Sequence, residues 1–300
     1  MKKLVLIITA LFLASVAPAQ KHGVYIAAGA NLFLGDLGGG AKSNAHIFGL
    51  GDADFKSLKP AVKIDYQFKP YNNLALRAGI MFAKAAGNDA NSKNSSAKER
   101  NLSFRSNITS YCISLDYYLL KEREFAKAEK IKFADRISVY FTVGFGLFRF
   151  NPQAEYGGQW YDLQPLCTEG QGTKISYKNG NNVFTTSDKP YSLSAFEIPF
   201  GLGLNIAVNN EMSFGLELAF HLTTTDYIDD CSTNYFNWKD MGIEPESEMS
   251  VIFADRSSGQ TRLKTGAARG NSGYNDAFAT LMLTSHYKFG AVSGGSKHRR

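Results

Sequence analysis

Apolar side chains occupy every second position along much of this chain. The clearest stretch runs from Phe196 to Val208, where each even-numbered position carries a phenylalanine, leucine, isoleucine or valine. The odd-numbered positions between them carry glutamate, proline, glycine, asparagine and alanine. A helix, with about 3.6 residues per turn, would mix these sets, whereas a β-strand places them on opposite faces. The stretch is therefore predicted to be a strand with one strongly apolar face.

The alternation recurs often enough to predict eight strands. They cover residues 23–34, 62–68, 74–82, 111–119, 139–147, 196–208, 212–222 and 277–289. The connections 70–73 and 209–211 are tight turns, and 121–136 is a longer charged insert. The remaining connections are long and polar, and they cover residues 35–58, 85–104, 152–191 and 224–276. This asymmetry predicts an all-β fold, an eight-stranded antiparallel transmembrane β-barrel with short periplasmic turns and long extracellular loops.

A soluble barrel of the lipocalin type would show the same alternation with its apolar face turned inward. Here the second face is rich in Gly, Ala and Ser with only scattered charges, so it would solubilise the protein poorly. An eight-stranded barrel has an interior that side chains just fill, which suits small residues and paired charges. We therefore expect the apolar face to contact lipid. The mid-strand residues expected there are Phe200, Leu202, Leu204, Phe214, Leu216 and Leu218.

The N-terminus predicts export. A basic start is followed by an apolar run from Leu4 to Val16 and by the small-x-small sequence Ala17-Pro18-Ala19. This order is typical of a secretory signal peptide. The predicted organisation is a signal peptide over 1–19, an outer-membrane barrel over 20–289 and a flexible periplasmic tail over 290–300. The predicted location is the outer membrane of a Gram-negative cell, with membrane lipid as the first partner.

Several charged side chains fall on the predicted lumen face. They are Lys63, Asp65, Arg77, Asp116, Glu197, Glu217 and His221. They could form an ion path or an acid–base site, or they could fill the closed barrel as internal salt bridges. Charges buried away from water need partners, and eight strands leave little channel. The narrow lumen favours the salt bridges.

The predicted outer loops carry two further candidates. Asp226, Tyr227, Asp229 and Asp230 lie together just after the seventh strand. A calcium site is one interpretation, but the spacing does not match an EF-hand loop, and a hydrogen-bonded loop base is favoured. The second candidate is a pair of loop cysteines, Cys167 and Cys231. An exported protein permits a disulfide between them, and two unpaired thiols are the alternative.

Composition and motifs exclude several functions. The net charge is only +6, and its basic residues are scattered rather than interleaved with aromatic ones. The chain therefore lacks the pattern of a nucleic-acid-binding protein. No GxSxG, HExxH or P-loop motif is present, and the sequence shows no metal-ligand spacing. We expect a protein that is not an enzyme and holds no cofactor and no metal.

Seven words in the loops and strand ends resemble a known family. They are Gly35-Asp36-Leu37, Arg100-Asn101-Leu102-Ser103-Phe104-Arg105, Leu147-Phe148-Arg149-Phe150-Asn151-Pro152, Trp160-Tyr161-Asp162-Leu163-Gln164-Pro165-Leu166, Thr168-Glu169-Gly170-Gln171-Gly172, Ile198-Pro199-Phe200-Gly201-Leu202-Gly203, and Asp226-Tyr227-Ile228-Asp229-Asp230 followed by Ser232-Thr233. Together they resemble the PorG-like outer-membrane barrels, one of which belongs to the type IX secretion system. The words span most of the mature chain, and none is a catalytic motif.

The resemblance implies an anchor or accessory subunit of protein secretion, with periplasmic or membrane proteins of a secretion complex as partners. The alternative is a cell-surface binding or adhesion barrel that uses its outer loops, and a small pore is disfavoured by the strand count. Tyr287 and Phe289 close the last strand, as the aromatic residues of an assembly signal and an interfacial girdle would. The tail after them either has no role or contacts a periplasmic partner together with the charged insert.

Overall fold

The computed structural model of the chain describes residues 22–38, 54–121, 132–245, 247–257 and 265–289. The predicted signal peptide, the predicted tail and most of the charged insert lie outside these ranges. Within them, eight long strands form one sheet: β1 (His22–Leu34), β2 (Lys59–Tyr71), β3 (Leu74–Asn88), β4 (Ser103–Leu120), β5 (Ile137–Arg149), β10 (Ser194–Ala207), β11 (Met212–Thr223) and β12 (Ala277–Lys288).

These strands close into an antiparallel barrel. Their order is β3-β2-β1-β12-β11-β10-β5-β4, and pairing between β3 and β4 joins the two ends. The predicted fold class and strand count are confirmed. β3 and β4 are longer than expected, since their pairing continues to Asn88 and Ser103. Alternation did not predict this extension, because polar residues such as Lys84 on β3 and Arg105 and Asn107 on β4 interrupt the apolar face there.

The outer loops add shorter elements above the barrel. Four short strands lie in the third loop: β6 (Pro152–Tyr156), β7 (Gln159–Asp162), β8 (Ser176–Asn179) and β9 (Asn182–Thr185). The first two form a hairpin that pairs with the extended end of β4. Two short helices, α1 (Ser95–Arg100) and α2 (Glu248–Ala254), lie in the second and fourth loops. Neither helix is long and apolar enough to cross a membrane.

The outer surface of the barrel is an apolar band. Leu202 is 54% exposed and Leu216 is 44% exposed, and Leu204, Phe214 and Leu218 are exposed beside them. Phe200 lies on the same face, half-buried against the ring of Phe220 at 5.9 Å between centroids. So continuous an apolar surface would not be stable in water, whereas a bilayer accommodates it. The protein is an eight-stranded barrel of the outer membrane.

Side chains fill the lumen in three layers. At the periplasmic end, the Asn205 amide donates to the Tyr25 hydroxyl at 3.2 Å, and the Gln67 amide donates to the Tyr118 hydroxyl at 3.1 Å. A layer of ion pairs occupies the middle. At the outer end lies an aromatic cluster of buried rings, which comprises Phe33, Phe104, Phe148, Phe150 and Phe278. The described residues therefore place hydrogen-bonded, ion-paired or aromatic side chains at each of the three heights.

The exposed apolar band makes a stability prediction. Replacing Leu216 by arginine is expected to lower the free energy of unfolding in lipid by about 2–4 kcal/mol, because the charge would lie near the bilayer midplane. Urea titration of the refolded barrel in vesicles measures this. Leu216→Ala is the control for lost size alone and is expected to cost clearly less. An equal loss for both variants would contradict a lipid-facing position.

Candidate functional site

Arg77 is the centre of the ion-pair layer in the lumen. It projects inward from β3, and its side chain is almost fully buried. Its Nε lies 2.8 Å from Asp116 Oδ2, and its Nη1 lies 2.8 Å from Glu217 Oε2 and 3.4 Å from Asp65 Oδ2. Because these carboxylates come from three other strands, one guanidinium connects four strands across the lumen. The rings of Tyr25 and Tyr140 flank it at 5.1 and 5.4 Å.

Lys63 completes this layer from β2. Its Nζ lies 2.7 Å from Glu217 Oε1 and 3.1 Å from Asp65 Oδ2. The Tyr140 hydroxyl donates to the second oxygen of Glu217 at 2.7 Å. Both oxygens of this buried carboxylate are therefore satisfied, which is what a charge removed from water requires. Two cations and three carboxylates thus form one network. The alternation in the sequence predicted that all five side chains lie on the lumen face of their strands.

Glu197 and His221 form a separate pair nearer the outer end. His221 Nδ1 lies 3.0 Å from Glu197 Oε2, and the Ser110 hydroxyl donates to the other carboxylate oxygen. His221 also stacks on Phe278, with 4.3 Å between ring centroids. Its Nε2 lies 3.4 Å from the Thr280 hydroxyl. A hydroxyl, an imidazole and a carboxylate in sequence are the parts of a hydrolytic triad, but here they lie inside the filled barrel.

A cavity of about 30 Å³ lies between the two lumen groups. Lys63, Cys112, Glu217 and His221 are among the residues that line it. That volume accommodates about one or two water molecules. The lumen groups can therefore hold buried water and bind each other, and this cavity is too small for a larger solute.

A second buried polar network lies in the outer loops, which fold together into a cap. Arg100, at the end of α1, makes a bidentate contact with Asp89, with Nε–Oδ2 and Nη2–Oδ1 distances of 2.8 Å. It also donates to the backbone carbonyls of Asp36 and Arg269, both at 2.7 Å. Asp89 additionally accepts from the Leu102 backbone N–H at 3.0 Å. One arginine therefore connects the first, second and fourth loops.

Arg269 plays the same part for the third loop. Its Nη1 lies 3.1 Å from Glu169 Oε1, and its Nη2 lies 3.3 Å from Asp230 Oδ2. Glu169 also accepts from the backbone N–H groups of Ser232 and Thr233 at 2.9 and 3.1 Å. Asp230 accepts from the hydroxyls of Thr168 and Tyr191, each at 2.6 Å. Asp230 adopts a left-handed conformation with φ of 65°, which its hydrogen bonds hold in place.

Four more carboxylates lie near the two arginines, and the described residues give them no cation as a direct partner: the half-buried Asp36 and the buried Asp226, Asp229 and Asp276. Asp229 Oδ2 accepts from the Leu37 N–H at 3.2 Å, and Asp276 Oδ2 accepts from the Ile228 N–H at 2.8 Å. One oxygen of Asp226 and one of Asp276 have no hydrogen-bond partner in the described residues. No set of three or more potential ligands there is arranged to hold a metal ion.

The environment of these carboxylates favours their protonated forms. Burial raises the pKa of Asp226 to about 8, and the charges of Asp36 and Glu169 add to the rise, while a hydrogen bond with Ser232 opposes it. Burial and neighbouring carboxylates also raise the pKa values of Asp229 and Asp276. For Asp230, burial raises the pKa to about 6 although Arg269 opposes the shift.

The sequence identified some residues of the cap network and missed others. Asp226, Asp229 and Asp230 do lie at the loop base, and Tyr227 stacks on Tyr191 with 4.3 Å between ring centroids. Asp89 and Arg269 were missed, and their only local signal is a charged residue in an otherwise small and polar loop. The carboxylate partners of Arg269 are 39 and 100 residues away, and Arg100 is 11 residues from Asp89, so no short motif spacing connects either pair. The loop words join the network through Asp36, Arg100, Glu169 and the aspartates after β11.

The disulfide that export would permit between Cys167 and Cys231 is not formed, so that interpretation is corrected. Cys167 packs with Phe236 and Trp238 in an apolar cluster of the third and fourth loops. Cys231 belongs to the main core, and its thiol donates to the carbonyl of Arg269 at 3.1 Å. The two side chains therefore pack into different apolar clusters. The cap is held by ion pairs and apolar packing.

Tyr287 and Phe289 lie at the periplasmic end of the barrel. Both rings are about two-fifths exposed and meet edge to face at 5.6 Å between centroids. This places amphipathic and apolar rings at the expected height of the headgroups. Their part in assembly stays a prediction.

The lumen network predicts that replacing Arg77 lowers the free energy of unfolding of the barrel strongly. Arg77→Met is expected to lower the free energy of unfolding by about 3–5 kcal/mol, because three buried carboxylates would lose their shared cation. Urea titration in vesicles measures the change. Lys93→Met is the matched control, since Lys93 is exposed in the loop that follows the same strand. Similar losses for the two variants would show that the network does not stabilise the barrel.

The raised pKa of Asp226 predicts how the stability of the cap depends on pH. Because its pKa of about 8 in the folded cap exceeds the ordinary value, the folded state binds this proton more tightly than the unfolded chain. Cap stability should therefore fall as pH rises from about 4 to about 8. Asp226→Asn should reduce this loss and slow proteolytic cleavage of the loops at pH 9 but not at pH 5. Asp240→Asn, at an exposed position, is the control. Unchanged pH dependence in Asp226→Asn would contradict the assignment.

Several solved outer-membrane barrels resemble this chain in fold. Neisserial surface protein A matches with a TM-score of 0.41 and 9% identity, over 89% of this chain and 97% of that one. OprG from Pseudomonas aeruginosa gives 0.36 and 9%, over 91% and 98%. Ail of Yersinia pestis, in complex with the heparin analogue sucrose octasulfate, gives 0.34 and 9%, over 90% and 99%. At such identities the likeness concerns the fold alone.

Sequence comparison gives a more specific result. No curated protein matches the chain. One family model does, over residues 2–161, which is more than half of the chain, and the family is described as a domain of unknown function, DUF6089. The matched part includes the first five barrel strands and the Arg100 and Asp89 pair of the cap. The chain therefore belongs to the DUF6089 family.

Proposed function

We propose that the protein is a sealed outer-membrane anchor that acts as an accessory subunit of protein secretion, in a system of the type IX kind. The observation that carries this proposal is the filled lumen, with the ion pairs of Arg77 and Glu217 at its centre. A barrel with no channel acts through its surfaces. The secretion role itself is supported by the resemblance of the loop words to PorG-like barrels.

The proposed role is non-enzymatic. Thr280, His221 and Glu197 have the order of a triad, but the 3.4 Å contact is long and the group is enclosed by neighbouring strands. A substrate would need to enter a cavity of about 30 Å³. Such a volume excludes any peptide, sugar or lipid. The polar residues there are better explained as the filling of a narrow barrel.

A second candidate is cell-surface binding through the cap. The observation that favours it is the folded state of the outer loops, because preorganised loops lose little conformational entropy on binding. Tyr156 and Trp160 are exposed at the β6–β7 hairpin, and Tyr274 is exposed in the fourth loop. Aromatic side chains of this kind are enriched in binding surfaces. Partners of this surface would be outside the cell, whereas those of a secretion anchor would be in the periplasm or membrane.

Deletion of the gene separates the two functions. We expect loss of secreted cargo from the medium and its accumulation in the periplasm, restored by the full-length protein. A Tyr156→Ser, Trp160→Ser variant should restore export fully, since the hairpin tip is not needed for a periplasmic contact. A chain ending at Phe289 should insert normally but recover fewer crosslinked periplasmic partners.

Normal export by the deletion strain would contradict the secretion proposal. Loss of cell-surface adhesion, restored by the wild type but not by the hairpin variant, would then establish the second candidate. Surface labelling of each variant shows that the barrel has reached the outer membrane. This control distinguishes a variant that has lost a contact from one that has failed to insert into the membrane.

A further inference from the structure

Three cationic side chains lie on the outward face of adjacent strands at the extracellular end of the barrel. Lys84 is on β3, Arg105 is on β4 and Arg149 is on β5, and all three are exposed. Lys84 pairs with Asn107, and Arg149 pairs with Thr109, so the registers place them around the same part of β4. They form one patch, which we call the basic patch.

The basic patch begins where the lipid-facing band ends. Lys84 follows Phe82 by two residues on the same face of β3, and Arg149 follows Leu147 in the same way on β5. Phe82 and Leu147 are 54% and 44% exposed. Two residues advance a strand by about 6.6 Å, less along the membrane normal because barrel strands tilt. The patch therefore lies at the height of the outer headgroups.

The patch occupies one side of the barrel only. Among the described residues, the outward positions nearest the outer ends of the other five barrel strands carry no charge. They are Leu34, Pro60, Ser194, Leu222 and Ala277. A general excess of positive charge would be spread around the rim. The clustering on three neighbouring strands points instead to a localised anion.

The cations of the patch are available for a ligand. The side chains of Lys84 and Arg149 make no hydrogen bond or ion pair with any described residue. Arg105 donates from Nε to Gln153 Oε1 at 3.0 Å, and its guanidinium lies 3.6 Å from the Trp160 ring centroid. This stacking orients the guanidinium, and its Nη groups have no hydrogen-bond partner among the described residues.

Two carboxylates share this face of the extended sheet. Asp162 lies opposite Gln153 and accepts from its amide at 2.6 Å and from Asn151 at 2.9 Å. Glu155 lies farther from the membrane, opposite Trp160. Neither carboxylate forms an ion pair with a cation of the patch. The patch therefore keeps a net positive charge where it meets the membrane.

We propose that the basic patch binds the phosphorylated headgroup of a lipid in the outer leaflet, with the acyl chains of that lipid lying on Phe82 and Leu147. Guanidinium groups bind phosphate oxygens in bidentate fashion, and an ammonium adds a point charge. Trp160 supplies an aromatic ring at the interface, where such rings are enriched. This site goes beyond the proposed secretion role and does not depend on it.

The test compares two triple variants that lose the same charge. Lys84→Gln, Arg105→Gln, Arg149→Gln removes the patch, and Lys93→Gln, Lys98→Gln, Lys239→Gln removes exposed loop lysines elsewhere. The full chain is placed in nanodiscs of neutral phosphatidylcholine with a trace of fluorescent lipid A. Retention of the probe is measured against its dephosphorylated form and against added inorganic phosphate. Heat-modifiability on gels confirms that each variant is folded.

We expect the patch variant to bind lipid A about tenfold or more weakly, since each surface cation attracts anionic lipid. The loop variant should bind within about twofold of wild type, and the dephosphorylated probe should show no preference for the wild type. Equal losses in both variants would mean non-specific attraction and would overturn the proposal. Displacement by inorganic phosphate at equal concentration would also overturn it, because the site would then recognise free phosphate rather than lipid.

Discussion

A narrow closed barrel must fill its interior with side chains, and here the buried charge of Arg77 determines how it does so. Its guanidinium needs acceptors on several sides, and Asp65, Asp116 and Glu217 supply them from three other strands. Because side chains alternate along a strand, a one-residue slip of β3 would turn Arg77 into lipid. That position costs about 2–4 kcal/mol for an arginine near the midplane, besides the three carboxylates left behind. The ion pairs thus specify strand register, the role best attested for buried charges.

Buried arginines also organise the cap, but there they bind backbone carbonyls as well as carboxylates. In the barrel the backbone is paired by the strands, so the arginine connects carboxylates. In the loops the backbone is irregular, and Arg100 and Arg269 also donate to carbonyls of distant segments. Buried loops are unfavourable unless their backbone groups are satisfied. The arginines and the carboxylates of Glu169 and Asp89 supply this satisfaction. The loops can therefore fold over the barrel without a disulfide.

Much of the barrel could be predicted from the sequence because the relevant signal is local. Alternation over Phe196 to Val208 identifies a strand and its faces, and a charge on the small-residue face is necessarily a lumen charge. The cap could not be predicted in this way. Arg269 is 100 residues from Glu169, and no period relates them. The disulfide hypothesis was wrong for the same reason. Cys231 and Cys167 both lie in the outer loops, but they pack into different apolar clusters.

The lipid-facing surface and the cap differ in how well they tolerate substitution. A lipid-facing surface needs only apolar side chains, so Leu202 or Leu216 can be exchanged for another apolar residue at small cost. The cap has no such tolerance, because removing one buried carboxylate or arginine leaves its partners uncompensated. Asp36, Arg100 and Glu169 occupy the positions at which that constraint is strongest.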